Sequence, residues 1–281
     1  MSTWFITGCS TGLGHALAQA VLDAGHKAAV TARHPEALAD IAAAHPATAL
    51  PLALDVTDHA QMADAVRQAA ERFGGIDVLI NNAGHGYRSA IEEADTADVD
   101  ELFATNFFGP INLIKQVLPG MRQRRSGTIV NVSSIAGRTS NPGSGYYSAT
   151  KFALGGASYA LKQEVEPLGI RVVVVEPGAF RTDFAGRSLK QSAVPIDDYA
   201  VTAGLRRIDN DHTSGKQLGD PARAAQALLA LAQRDDLPLR VVLGTDAIQV
   251  IGAELDRQRA ELDAMRGLAA STDFPDGGIG G

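Results

Sequence analysis

Tyr147 and Lys151 stand four residues apart, the spacing that puts two side chains on one face of a helix. A free phenol ionises at about pH 10 and is useless as a base at neutrality. An ammonium one turn away, at about 4 Å, stabilises a phenolate by roughly 4 kcal/mol at an effective dielectric of about 20. Such an ammonium lowers the phenol toward the neutral range, where it can exchange a proton with an alcohol or carbonyl oxygen. Ser133 and Ser134 follow an apolar run, 128–132, and the Ser134 hydroxyl can hold that same oxygen. A surface Tyr/Lys pair is the plain competing explanation, since any exposed helix can carry one.

A second group of residues suits a nucleotide. Thr7-Gly8-Cys9-Ser10-Thr11-Gly12-Leu13-Gly14 runs from a strand-like segment straight into a helix-like one. Glycines there permit a tight turn and let backbone N–H groups approach a pyrophosphate at the helix N-terminus. Where NAD-preferring sites place a carboxylate at the end of the second strand, this chain has Ala32 and then Arg33. A guanidinium suits a 2′-phosphate, so NADP(H) is favoured over NAD(H). Asp55-Val56 closes the third strand, with Asp55 placed to accept from an adenine amino group or simply to start a turn. Asn82-Ala83-Gly84 closes the fourth, its small pair leaving room for a cofactor.

These residues must be held by a frame. Strand-like runs at 3–7, 27–32, 49–54, 77–80, 128–132, 171–175 and 240–243 alternate with Ala-rich helical stretches, among them 14–24, 59–73 and 147–166. Most of the strands are continuously apolar, as strands covered on both faces are. The alternation predicts one α/β domain over 1–281, doubly wound around a seven-stranded parallel sheet. Residues 184–219 break the rhythm and are expected to form a substrate lid; 276–281 (DGGIGG) are expected to be a flexible tail. The net charge of −7 and the lack of a basic cluster argue against nucleic acid. No apolar run is long enough to span a bilayer, and the single Cys9 with no signal-like leader points to the cytoplasm. No pattern of metal ligands is present.

With its motifs in this order, the chain resembles the classical short-chain dehydrogenase/reductase superfamily from Thr3 to about Phe184. TGCSTGLG (7–14) matches the glycine motif, NNAG (81–84) the adenine-side motif and YSATK (147–151) the active-site motif. The family's catalytic serine lies 13 residues before its tyrosine, which selects Ser134 and Tyr147 over Ser133 and Tyr146. The resemblance also implies that Pro177, Gly178, Phe180 and Thr182 lie at the nicotinamide, and that Asn106 offers its carbonyl to a water relay toward Lys151. Pro110, four residues on, cannot donate to that carbonyl. TWFITGCSTGLG, VTARHPEAL and EPGAFRTDF look most like the branch of retinol and 17β-hydroxysteroid dehydrogenases. That branch implies apolar substrates and a homodimer or homotetramer formed through helices 98–118 and 147–166.

The expected activity is hydride transfer between NADP(H) and a secondary alcohol/ketone or aldehyde. Tyr147 is then the acid/base, Ser134 the oxygen-holding donor, and Lys151 both the tuner of Tyr147 and a ribose ligand. Two alternatives stand beside it. One is a non-catalytic sensor of NADP(H), which has no need of a proton donor. The other is a β-ketoacyl thioester reductase, for which Arg181, Arg187, Lys190, Arg206 and Arg207 offer a basic patch.

Overall fold

A computed structural model of the chain describes residues 1–186, 189–206, 208 and 215–274. The apolar runs form the strands β1 (Thr3–Ile6), β2 (Lys27–Ala32), β3 (Ala49–Ala53), β4 (Val78–Asn81), β5 (Gly86–Arg88), β6 (Gly127–Val132), β7 (Ile170–Pro177), β8 (Leu189–Gln191) and β9 (Arg240–Leu243). Between them lie helices α1 (Gly12–Asp23), α2 (Ala39–Ala44), α3 (His59–Phe73), α4 (Thr96–Phe103), α5 (Gly109–Arg124), α6 (Gly145–Val165) and α7 (Pro221–Ala232), and after β9 come α8 (Thr245–Ala264) and α9 (Arg266–Ala270). Seven strands make one parallel sheet in the order β3-β2-β1-β4-β6-β7-β9, as the alternation predicts.

Successive strand residues face opposite layers, and both layers are apolar. Trp4, Ile6, Val30, Ile80, Val130 and Val173 pack with Leu17 and Val21 of α1 and Leu228 of α7. Phe5, Ala29, Leu79, Ile129 and Val172 pack with Met62 of α3, Leu113 and Val117 of α5 and Val165 of α6. Burial on both faces explains why these strands read as continuous apolar runs. The chain starts in the middle at β1, winds outward to β3, and returns to place β4 on the other side of β1. The carboxyl ends of β1 and β4 therefore flank a topological switch point, where such folds open a ligand crevice.

Two departures from the sequence expectation bear on that crevice. The helix expected over 98–118 is broken: α4 and α5 are joined by a π-helical turn, Ala104–Phe108, that contains Asn106. Residues 184–219 are less irregular than expected where they are described. β8 pairs in parallel with β5, the Ile196 amide donates to Glu93 at 2.8 Å, and the Tyr199 hydroxyl donates to Glu92 at 2.7 Å. Within that interval 187–188, 207 and 209–214 lie outside the described residues, as does the expected tail 276–281.

Candidate active site

β6 delivers Ser134 to the sheet's carboxyl edge, and the first turn of α6 carries Tyr147 above it. The Ser134 hydroxyl accepts from the Ala136 amide at 3.1 Å, which fixes the turn after the strand. Lys151, one turn along α6, donates from Nζ to the Val132 carbonyl at 2.9 Å. Its Nζ sits 5.8 Å from the centre of the Tyr147 ring. All three residues line one cleft of 1040 Å³.

The electrostatics differ from the expectation that Lys151 lowers Tyr147. Burial pushes the Tyr147 phenol up; hydrogen bonding from Ser134 and the charge of Arg88 pull it the other way. Burial also pulls the Lys151 ammonium down to about 8. Helical spacing makes the two neighbours, but both pay the same desolvation, and the ammonium is directed at a backbone carbonyl.

Asn106 is fully buried and does not line the cleft. Its Nδ2 donates to the His85 carbonyl at 2.9 Å, and its Oδ1 accepts from the His85 amide at 3.0 Å. With no N–H on Pro110, the helix runs in a wider register here, the Gly109 amide reaching Ala104 O. A Cβ on Gly84 would lie 3.0 Å from Asn106 Oδ1 and 3.8 Å from Lys151 Nζ, so both groups close around that glycine.

The other end of the cleft is lined by Gly8, Ser10, Thr11, Gly12, Leu13, Ala32 and Arg33, with Asp55, Val56, Asn82, Ala83 and Gly84 beside them. Gly8 and Gly12 have φ of 72° and 62°, a region that side chains disfavour. Thr11 leads into α1 with no side-chain cap, leaving the first-turn N–H groups for a ligand. Gly14 stands off the cleft; a Cβ there would meet Gly8 O at 2.2 Å, so its role is close packing of helix on loop. Asn82 ties strand ends together, Nδ2 reaching Thr7 O at 2.9 Å and Gly8 O at 3.1 Å. Asp55 does start a turn, Oδ1 accepting from the Thr57 amide at 2.9 Å, while also lining the cleft. Arg33 is exposed on the rim and Ala32 buried, with no carboxylate at the end of β2.

Pro177, Gly178, Phe180 and Thr182 complete the wall after β7. A Cβ on Gly12 would meet the Thr182 side chain at 3.2 Å, which places Thr182 against the glycine turn. The sequence alone does not flag His85, Arg88 or Asp246, which also line the cleft. Asp246 Oδ2 accepts from the Ala179 amide at 2.7 Å and so holds the loop after β7. An arginine four residues beyond NNAG, in a stretch of small and aromatic residues, is the only mark Arg88 leaves in the sequence. Of the basic patch, Arg181 donates from Nε to Gln217 O at 2.6 Å and Lys190 pairs with Glu101. Arg206 lines the cleft, and Arg187 and Arg207 lie outside the described residues. No group of acidic, His and Cys residues able to hold a metal occurs among the described residues.

A family model for short chain dehydrogenases matches residues 2–193. An oxidoreductase of Botryotinia fuckeliana is 38% identical over 270 residues, covering 96% of this chain and 98% of that one. The crystal structure of a short-chain dehydrogenase from Streptomyces avermitilis superposes with a TM-score of 0.91 at 40% identity, over 97% of this chain and 100% of that one. An alcohol dehydrogenase from the archaeon Thermococcus sibiricus, complexed with 5-hydroxy-NADP, superposes with a TM-score of 0.72 at 25% identity, over 86% of this chain and 96% of that one.

Proposed function

The chain belongs to the short-chain dehydrogenase family, and from that membership and its cleft we propose that it transfers a hydride between NADP(H) and a secondary alcohol/ketone or aldehyde with an apolar body. The observation that carries the proposal is one cleft with two ends: Ser134, Tyr147 and Lys151 at one, and the glycine turn with Arg33 at the other. The residues fit a dinucleotide. Positive-φ glycines clear the way for a backbone approach, the uncapped α1 offers N–H groups to a pyrophosphate, and Arg33 suits a 2′-phosphate.

NADPH held by the glycine turn and Arg33 would supply the hydride for the carbonyl carbon and be oxidised to NADP+. The chain supplies the proton. Tyr147, kept protonated at neutral pH by burial, donates its phenolic hydrogen to the substrate oxygen as the C=O bond becomes C–OH. Ser134 donates a hydrogen bond to that oxygen. Lys151, anchored on the Val132 carbonyl, steadies the phenolate left behind, and Asn106 offers its carbonyl to a water that returns the proton. A phenol raised by burial holds the proton that carbonyl reduction uses. Phe180, Phe184 and Leu218 line the cleft, and under the lid reading Leu189, Val194, Ile196 and Tyr199 add apolar contact that excludes water.

The reading includes a cytoplasmic homodimer or homotetramer. Phe152 and Tyr159, exposed on α6, support that face as the contact, and no helix among the described residues is long and apolar enough to cross a membrane. The test is NADPH consumption over steroid, retinoid, aromatic-ketone and acetoacetyl-thioester substrates. Turnover of an aromatic ketone or steroid supports the proposal. Tight NADPH binding with no turnover across the panel would make the protein a cofactor sensor instead.

A further inference from the structure

Away from the glycine turn, the cleft that holds Tyr147 is lined by Arg88 and Arg206, neither with a carboxylate partner among the described residues. Arg88 ends β5 and is only 8% exposed, and its Nε is buried without a hydrogen-bond partner. Among the described residues the guanidinium makes one hydrogen bond, from Nη1 to the Tyr87 carbonyl at 3.4 Å, a long and weak contact. Arg206, which also lines the cleft, has a buried Nε with no partner either. It sits across the 139–144 loop, where a Cβ on Gly143 would lie 3.4 Å from Arg206 Cβ. Burial, and then the neighbouring charge of Arg206, hold Arg88 below the ordinary arginine range. Arg88 and Tyr147 line the same cleft, and the positive charge of Arg88 acts in turn on the phenol.

Several other charged groups around the cleft have polar partners. Lys190 faces Glu101 and Asp98, Arg181 is held by Gln217 O, and Asp246 by the Ala179 amide. A buried guanidinium without a counter-ion is unfavourable, and a second one beside it adds repulsion. An anion between them offsets both terms, and a carboxylate matches the planar fork of a guanidinium.

We infer that Arg88 and Arg206 form an anion subsite, and that the substrate carries a carboxylate remote from its reacting carbonyl. The inference rests on the oxidoreductase reading above and narrows its substrate to keto acids and hydroxy acids. The carbonyl oxygen meets Ser134 and Tyr147, the carboxylate meets the arginines, and the body of the molecule lies along Phe184. The Phe184 ring stands 5.8 Å from that of Tyr147.

A rival account has Arg88 only lowering the phenol of Tyr147. Phenol tuning acts equally on charged and neutral substrates, so a matched pair separates the two. NADPH-dependent reduction is measured for aryl keto acids of graded chain length and for their methyl esters. At the best chain length the acid should exceed its ester in kcat/KM by about tenfold or more, the range of one charge-assisted hydrogen bond. That ratio should fall toward unity in Arg88→Met and in Arg206→Met. Esters reduced as well as acids by the wild-type protein would overturn the subsite and leave the oxidoreductase reading standing. A binding arm is independent of turnover. Calorimetric titration of NADP+-loaded protein should show 4-phenylbutyrate binding at least about tenfold tighter than the neutral 4-phenylbutanamide. Equal affinities would overturn the subsite. Failure to reduce any acid or ester, with phenylbutyrate still preferred, would sink the oxidoreductase reading and keep the subsite.

Discussion

Replacing Lys151 by methionine should stabilise the cofactor-free protein at neutral pH while destroying its activity. Lys151 is 5% exposed, and burial holds its ammonium at about 8 against an ordinary 10.5. In the unfolded chain the amine keeps the ordinary value. Between about 8 and 10.5 the unfolded state therefore binds a proton that the folded state has released, and stability rises with pH across that window. Below about 8 the penalty is complete: a gap of 10.5 − 8, at about 1.36 kcal/mol per pH unit, is roughly 3 kcal/mol. At about pH 9.5 roughly 1.5 kcal/mol of it remains. Methionine forfeits the bond from Nζ to Val132 O, worth about 1 kcal/mol net. The variant should thus be more stable by roughly 2 kcal/mol at about pH 7 and nearly level with wild type at about pH 9.5. Burial raises the Tyr147 phenol above its ordinary value, so it does not supply the titration across this window that Lys151 does. Urea midpoints of both proteins at the two pH values, with equal m-values, read the difference directly. A gap between wild type and variant that does not change with pH would refute the idea that the buried ammonium carries the penalty.

Three further outcomes follow from the cleft. Ala32→Asp combined with Arg33→Gln should move the NADP(H)/NAD(H) ratio of kcat/KM by about tenfold or more toward NAD(H); a wild-type protein already faster with NADH would contradict the premise. Gly14→Ala should destabilise by about 1–3 kcal/mol in urea unfolding, because the new Cβ meets Gly8 O at 2.2 Å and backbone cannot step aside; an unchanged midpoint would show that the helix start is loosely packed. Amide exchange in the described parts of 184–219 should slow when NADP+ and 4-phenylbutyrate are added, and equal protection with and without them would make the segment a fixed wall.

The residues that could be read in advance are those whose chemistry is local. The glycine turn at 7–14, the Ala32-Arg33 end of β2 and the Tyr147–Lys151 spacing each depend on a few neighbours in the chain. The seven-stranded sheet was legible because burial on both faces leaves apolar runs. β5 and β8 were not, since each spans three residues and is defined by a partner about a hundred positions away. Arg88 stayed hidden for the same reason: nothing in the chain near it says that it is buried in the cleft wall. The sequence singles out Asn106 ahead of Pro110, but not the π-helical turn that buries its side chain against His85. The i, i+4 rule placed Lys151 beside Tyr147 and could not give the sign of the phenol's shift, which depends on how deeply both are buried.

The central claim is that Tyr147 supplies the proton. Its most direct test is Tyr147→Phe, assayed for NADPH-dependent reduction of a substrate that the wild-type protein turns over, alongside NADPH affinity by fluorescence titration. The ring and its packing remain, and only the transferable hydrogen is lost. The account predicts a fall in kcat of about 10²–10⁴-fold, with NADPH affinity essentially unchanged. A variant that keeps more than about a tenth of wild-type kcat would contradict it, because the proton would then come from another group.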